Sequence, residues 1–118
     1  MNGLIIKEPH ITRILNGEKT WEIRGSKTNI RGRIALIRSG SGLVIGTCEL
    51  VDCVGPLTIE DLIKNEEKHR INNERLLSKG LPYPKTYGWV IKNPQYFEEP
   101  IPYKHPMGAV IWVKLDIE

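Results

Sequence analysis

No stretch of this sequence stays apolar for long. The longest apolar run is Ala109–Val113, five residues, against the ~18 needed to cross a bilayer. Apolar residues come in short bursts separated by Gly, Pro, Asn and Ser. Turn and cap residues therefore punctuate the chain into many separate elements. Its 118 residues are expected to form one domain, 1–118. A chain of this length buries about two-thirds of its unfolded surface, so a core can form without disulfides or metals. The start, MNGLIIKEPH, has no basic segment followed by an apolar stretch and a small-residue cleavage site, so no secretory leader is expected. Cys48 and Cys53 lie five apart on one predicted strand. Strict alternation points them to opposite faces, and they read as reduced thiols of a cytoplasmic protein.

The order of elements follows from local pattern. Leu4–Ile6 reads as a strand. Glu8-Pro9 opens a helix whose stripe is Ile11, Ile14 and Leu15, and Asn16-Gly17 stops it. Thr20–Arg24 alternates, with Trp21 and Ile23 toward the core and Glu22 and Arg24 on the other face. Gly25–Gly32 is a polar loop. Arg33–Arg38 is a strand, Ser39–Gly42 a turn, and Leu43–Val54 a long strand bent or bulged at Gly46. Thr58 caps a helix carrying Ile59, Leu62 and Ile63, and a second helical piece is expected around Asn73–Leu77. Tyr87–Ile91 reads as a strand ended by a turn at Asn93-Pro94, with Tyr96–Pro102 as a separate edge segment. Ala109–Leu115 is the last strand. The sum is an α+β chain, mainly β: a small barrel of about five or six strands, with two or three short helices at its openings.

Net charge is +3, too small to argue from. Its distribution says more: residues 1–39 carry +5, residues 40–75 carry −3, and residues 76–118 carry +1. The basic first third contains Gly17-Glu18-Lys19-Thr20-Trp21-Glu22-Ile23-Arg24. Glu22 and Arg24 share one strand face, and Lys19 sits in the turn before it. Lys and Arg there can hold an anion while Glu accepts from a base or amide. An ordinary surface ion pair is the plain alternative.

Gly17-x-Lys19-x-x-Glu22-x-Arg24 after a short helix resembles the signature of the ASCH domain, a branch of the PUA-like superfamily of small β-barrels. Two further segments extend the likeness. One is Thr28-Asn29-Ile30-Arg31-Gly32, leading into Ile34–Ile37 and Ser39. The other is Tyr87-Gly88-Trp89-Val90-Ile91, followed by Pro102-Tyr103-Lys104-His105-Pro106 and Gly108–Trp112. The resemblance implies a PUA-like pseudo-β-barrel with a ligand cleft beside it, lined by Lys19, Glu22 and Arg24. It also implies nucleic-acid or modified-base recognition. In a few branches it implies hydrolysis of N4-acetylcytidine or cleavage of RNA. The amidohydrolase branch pairs its Lys with a Thr three residues on; here Glu22 occupies that position, Thr20 is one residue from Lys19, and Glu66 or Glu67 match the branch's distant Glu only loosely.

The candidate ligand-binding residues are Lys19, Glu22, Arg24, Thr28, Arg31, Ser39, His69, Trp89, Tyr103 and His105. His69 and His105 also read as loop histidines. Trp21 and Trp112 read as core and Trp89 as the more open ring, able to stack a base. Ser39–Gly42 reads as a plain turn rather than a phosphate cradle. His10, His69, His105 and the two cysteines lack ligand spacing, so no metal or other cofactor is expected. The expected function is a binding module for RNA, another nucleic acid or a nucleotide-like small molecule. Lys19 and Arg24 would sit on phosphate and Glu22 on a base amine. An enzyme with Lys19 and Glu22 in catalytic roles is the alternative, either an N4-acetylcytidine-type amidohydrolase or a metal-independent ribonuclease. A third class is a protein-interaction domain with a protein partner. No membrane association is expected.

Overall fold

The fold was analysed in a computed structural model, which describes residues 1–117. Among these residues the chain forms six strands and four short helices. In order they are β1 (Asn2–Ile6), α1 (His10–Leu15), β2 (Trp21–Arg24), β3 (Gly32–Arg38), β4 (Leu43–Val54), α2 (Ile59–Lys64), α3 (Glu66–His69), α4 (Asn73–Lys79), β5 (Tyr87–Pro102) and β6 (Trp112–Lys114). The strand count matches the expectation, and the helices exceed it. The excess is α3, a four-residue turn too short and too charged to show periodicity. No helix among the described residues is long and apolar enough to cross a membrane.

All six strands form one curled, half-barrel sheet in the order β2-β5-β4-β3-β1-β6. Every neighbouring pair is antiparallel except β1 with β3, where Leu4 lies beside Leu36. The middle of β3 explains its unbroken apolar run. Ile34 and Leu36 face one core cluster with Leu4, Ile6, Leu50 and the α1 stripe, while Ala35 and Ile37 face a second with Val44, Val113 and Leu115. A strand covered on both faces has no polar side to alternate with. A third cluster packs Leu62 of α2 and Leu76 of α4 against Ile23 of β2.

Three local expectations are corrected, and bulges account for two of them. Asn93-Pro94 does not turn the chain; β5 runs through it for 16 residues. Residues 93 and 94 together oppose the single Cys48, and residues 97–100 oppose Ile45, so Pro94 and Pro100 fall where the ladder is interrupted. β2 covers only Tyr87–Val90 of the other edge, so the missing proline N–H groups cost no pairing there. A further bulge between Leu50 and Asp52 resets the alternation in β4, and Val51 and Asp52 are both exposed. Cys48 and Cys53 therefore touch the same core cluster, not opposite faces, and both are free thiols. The last strand starts at Trp112 rather than Ala109, leaving Val110 and Ile111 exposed.

Gly46 sits where α1 crosses the sheet. A Cβ there would collide with the carbonyl oxygen of Gln95 and come within 2.6 Å of Leu15 Cδ2. The backbone of β5 and the helix can approach only over a bare Cα. Gly46→Val is expected to destabilise the chain by about 1–3 kcal/mol. Urea unfolding checks this through a lower midpoint at an unchanged slope.

Candidate functional site

The spacing Gly-x-Lys has a structural origin. Gly17 takes φ +80 just past α1. Its N–H donates to Ile14 O, and the Glu18 N–H donates to Arg13 O. This pair of bonds ends the helix in a Schellman turn, which needs the left-handed residue that glycine supplies without penalty. The chain then reverses and turns Lys19 inward, where it is 2% exposed. From Thr20 it enters β2. Its N–H donates to Lys68 O of α3, and its carbonyl accepts from Ile91 of β5.

Strand parity puts Glu22 and Arg24 on the face that Lys19 approaches, but this face is interior. Glu22 is 5% exposed, and Trp21 on the other face is only half-buried, with the Lys68 ammonium 5.1 Å from its ring centroid. Lys19 Nζ lies 3.3 Å from Glu22 Oε1. Arg24 donates from Nε and Nη2 to Glu22 Oε2 at 3.0 and 2.8 Å. The carboxylate thus pairs with two cations, leaving the largely buried trio with one positive charge in excess. Lys19 also donates to His10 Nδ1 at 3.2 Å. An ammonium can only donate, so Nδ1 accepts and the imidazole proton sits on Nε2. Burial pulls the Lys19 pKa below its ordinary value despite Glu22, and burial together with the Lys19 charge lowers that of His10.

Arg24 has a second task. Its Nη2 also donates to Ile5 O of β1 at 2.9 Å. β2 and β6 are the two margins of the sheet, and no ladder joins them. The gap is bridged by this guanidinium and by Trp89 of β5, stacked on Trp112 of β6 with centroids 5.8 Å apart. The unclosed seam opens into a cleft of about 950 Å³. Five cations line it (Lys7, Lys19, Arg24, Arg70 and Arg75) with one carboxylate, Glu22.

Of the residues expected from sequence, Lys19, Glu22, Arg24, Ser39 and Trp89 line this cleft. Trp89 is not the open ring; it is 2% exposed, its Nε1 donates to Ser26 O, and Arg24 lies 5.6 Å from its centroid. Ser39 also borders an adjoining hollow of about 340 Å³ with Tyr103 and His105. There His105 Nε2 donates to Ala109 O and Nδ1 accepts from the Tyr103 hydroxyl at 2.8 Å. Thr28, Arg31 and His69 lie outside both. Thr28 caps its own loop by accepting from Ile30 N–H, and Arg31 donates to the carbonyls of Thr28 and Ile30. His69 is fully buried, donating from Nε2 to Leu62 O and accepting at Nδ1 from Ile71 N–H. Sequence reasoning missed Lys7, Arg70, Arg75 and Tyr83 as lining residues and considered His10 only as a metal ligand. No cluster of His, Cys, Asp or Glu suited to a metal occurs among the described residues.

Residues 4–101 match the model of the ASCH domain. The chain belongs to the ASCH domain family. ASCH domains are PUA-like and generally associated with nucleic acids. Among solved structures, the ASCH protein of Zymomonas mobilis is similar at TM-score 0.69 and 17% identity, covering 86% of this chain and 72% of that one. Two point variants of that protein give TM-scores of 0.68 and 0.67 at 18% identity. The first covers 86% of this chain and 74% of the other, the second 96% and 87%. No curated protein matches the sequence. At such identity the likeness is one of fold.

Removing one member of a buried ion cluster leaves its partners uncompensated, so Glu22→Ala in this ASCH domain is expected to cost about 3–5 kcal/mol, read by urea unfolding. A second expectation concerns pH. Burial lowers the pKa of His69, and burial together with nearby cations lowers that of His10, from the ordinary 6.5. Below 6.5 the unfolded chain therefore binds more protons than the folded one, and stability falls with falling pH. His69→Gln should narrow the difference between unfolding midpoints at about pH 7 and pH 5.

Proposed function

We propose that this ASCH domain binds single-stranded nucleic acid, RNA in the first instance, or a free nucleotide, in the seam cleft. The observation that carries this reading is the concentration of five cations and one carboxylate around a concave site. A polyanion gains from such a lining through counterion release.

The buried geometry suggests a division of labour different from the one the spacing suggests. Lys19 is enclosed and already paired with Glu22, so it is a poor first contact for phosphate. Lys7, Arg70 and Arg75 are exposed at the rim and suit that role. Arg70 is steadied by donation from its Nε to Glu18 O at 2.7 Å, which leaves its two Nη groups for a ligand. Deeper in, Glu22 Oε1 accepts, among the described residues, from Lys19 alone, so a lone pair is left for a base amine. Arg24 Nη1 is a donor beside it. Phosphates would thus be held at the rim and a base edge read at the floor.

A catalytic reading has one observation in its favour: Lys19 and His10 form a desolvated amine–imidazole pair beside the carboxylate of Glu22. Such a set can move a proton. Incubation with N4-acetylcytidine and with RNA, followed by chromatography, tests it; turnover no greater than that of Lys19→Ala removes it.

For the binding reading, anisotropy titration of a labelled single-stranded RNA across salt concentrations is decisive. Three rim contacts give a slope of log K against log salt of about −2, and each of Lys7→Ala, Arg70→Ala and Arg75→Ala should reduce it by about 0.7. A slope near zero, or one indifferent to all three substitutions, sinks the rim assignment.

A further inference from the structure

Tyr83 lines the seam cleft, and no other feature of the lining is so plainly prepared for a planar ligand. It belongs to the segment Leu81-Pro82-Tyr83-Pro84, with a proline on each side. The prolines restrict the backbone here before any ligand arrives. The Tyr83 carbonyl accepts from the Thr86 hydroxyl at 3.0 Å, which fixes the turn into β5. The ring rests on the backbone of Gly25, just after β2. A Cβ at Gly25 would lie 2.8 Å from Tyr83 Cδ1 and 3.0 Å from Cγ, so only glycine lets the ring settle there. Yet Tyr83 is 40% exposed. A large aromatic ring seated on bare backbone, and still open on the cleft, presents a surface that a planar group can cover.

We infer that Tyr83 is the base-stacking platform of this site, so that the cleft selects ligands carrying an unpaired nucleobase over other polyanions. The inference rests on the proposed binding function and specifies its ligand. The lining supplies the other requirements of the same unit: rim cations Arg70 and Arg75 for its phosphate, and Glu22 for its amine. Stacking demands a free π-face, which a base inside a duplex does not offer. Trp89 cannot serve, because Trp112 stacks on its ring and Arg24 crowds it. Holding the platform rigid before binding lowers the ordering cost when the base arrives.

The test compares ligands of equal charge with and without a base. A short single-stranded RNA is titrated against an abasic oligomer of the same length, and cytidine 5′-monophosphate against ribose 5-phosphate. The two pairs distinguish a strand from a free nucleotide as the source of the base. The base-bearing member of at least one pair should bind about five- to a hundredfold more tightly. Tyr83→Leu should erase that preference while leaving abasic affinity unchanged, and Tyr83→Phe should keep it. Gly25→Ala, which displaces the ring without removing it, should also reduce it. Thermal unfolding of each variant confirms that it is folded. Equal binding of base-bearing and abasic ligands overturns the Tyr83 assignment alone, as does a preference that survives Tyr83→Leu. Absence of binding by all four ligands overturns the cleft function, and this inference with it.

Discussion

A curled sheet that stops short of closing must hold its margins together without a ladder. Here the guanidinium of Arg24 carries much of that burden. Anchored on Glu22 from its own strand, it reaches across to the carbonyl of Ile5 on β1. Glu22 in turn pairs with both Lys19 and Arg24, and Lys19 is held in the interior by that carboxylate and by His10 Nδ1. The three signature residues therefore form one unit that joins the sheet margins. The cleft is the space the unit leaves unfilled. Its floor is rigid because the same bonds that shape it hold the fold together.

The parts of this arrangement that depend on local rules are visible in the sequence. The glycine stop of α1, the shared face of Glu22 and Arg24, and the helix cap at Thr58 all follow from spacing and residue type. The parts that depend on parity over long strands or on three-dimensional charge do not. Bulges in β4 and β5 reset the alternation, so strand parity misplaces Cys53 relative to Cys48, and Asn93-Pro94 signals a turn where the chain only bulges. Division of charge along the chain gave the basic first third the whole electrostatic role. In space, Arg70 and Arg75 from the net-acidic middle stand at the same cleft as Lys7 and Arg24. Trp21, Trp89 and Trp112 cannot be ranked by strand pattern alone, because which ring is enclosed depends on how the two sheet margins meet.

His69 shows how a buried residue can shape the lining of a cleft it does not touch. Its two ring nitrogens tie the end of α2 to the backbone at Ile71, and so fix the residue between, Arg70. That residue holds a left-handed backbone conformation, φ 64, at a helix end where glycine is the easier choice. Such a conformation persists because the surrounding bonds determine it. The short helix α3 and the buried imidazole are the supports for a rim cation.

The pairing of β1 with β6 joins Asn2 to Lys114, and that of β2 with β5 joins Trp21 to Val90. Such contacts reward the chain only after very long loops have closed, which places this fold among the slower ones for its size. The cleft draws on residues from Ile5 to Ile111, so it has no local precursor. A peptide carrying Gly17–Arg24 would hold the signature and none of the site. The cleft exists only once the whole sheet has formed.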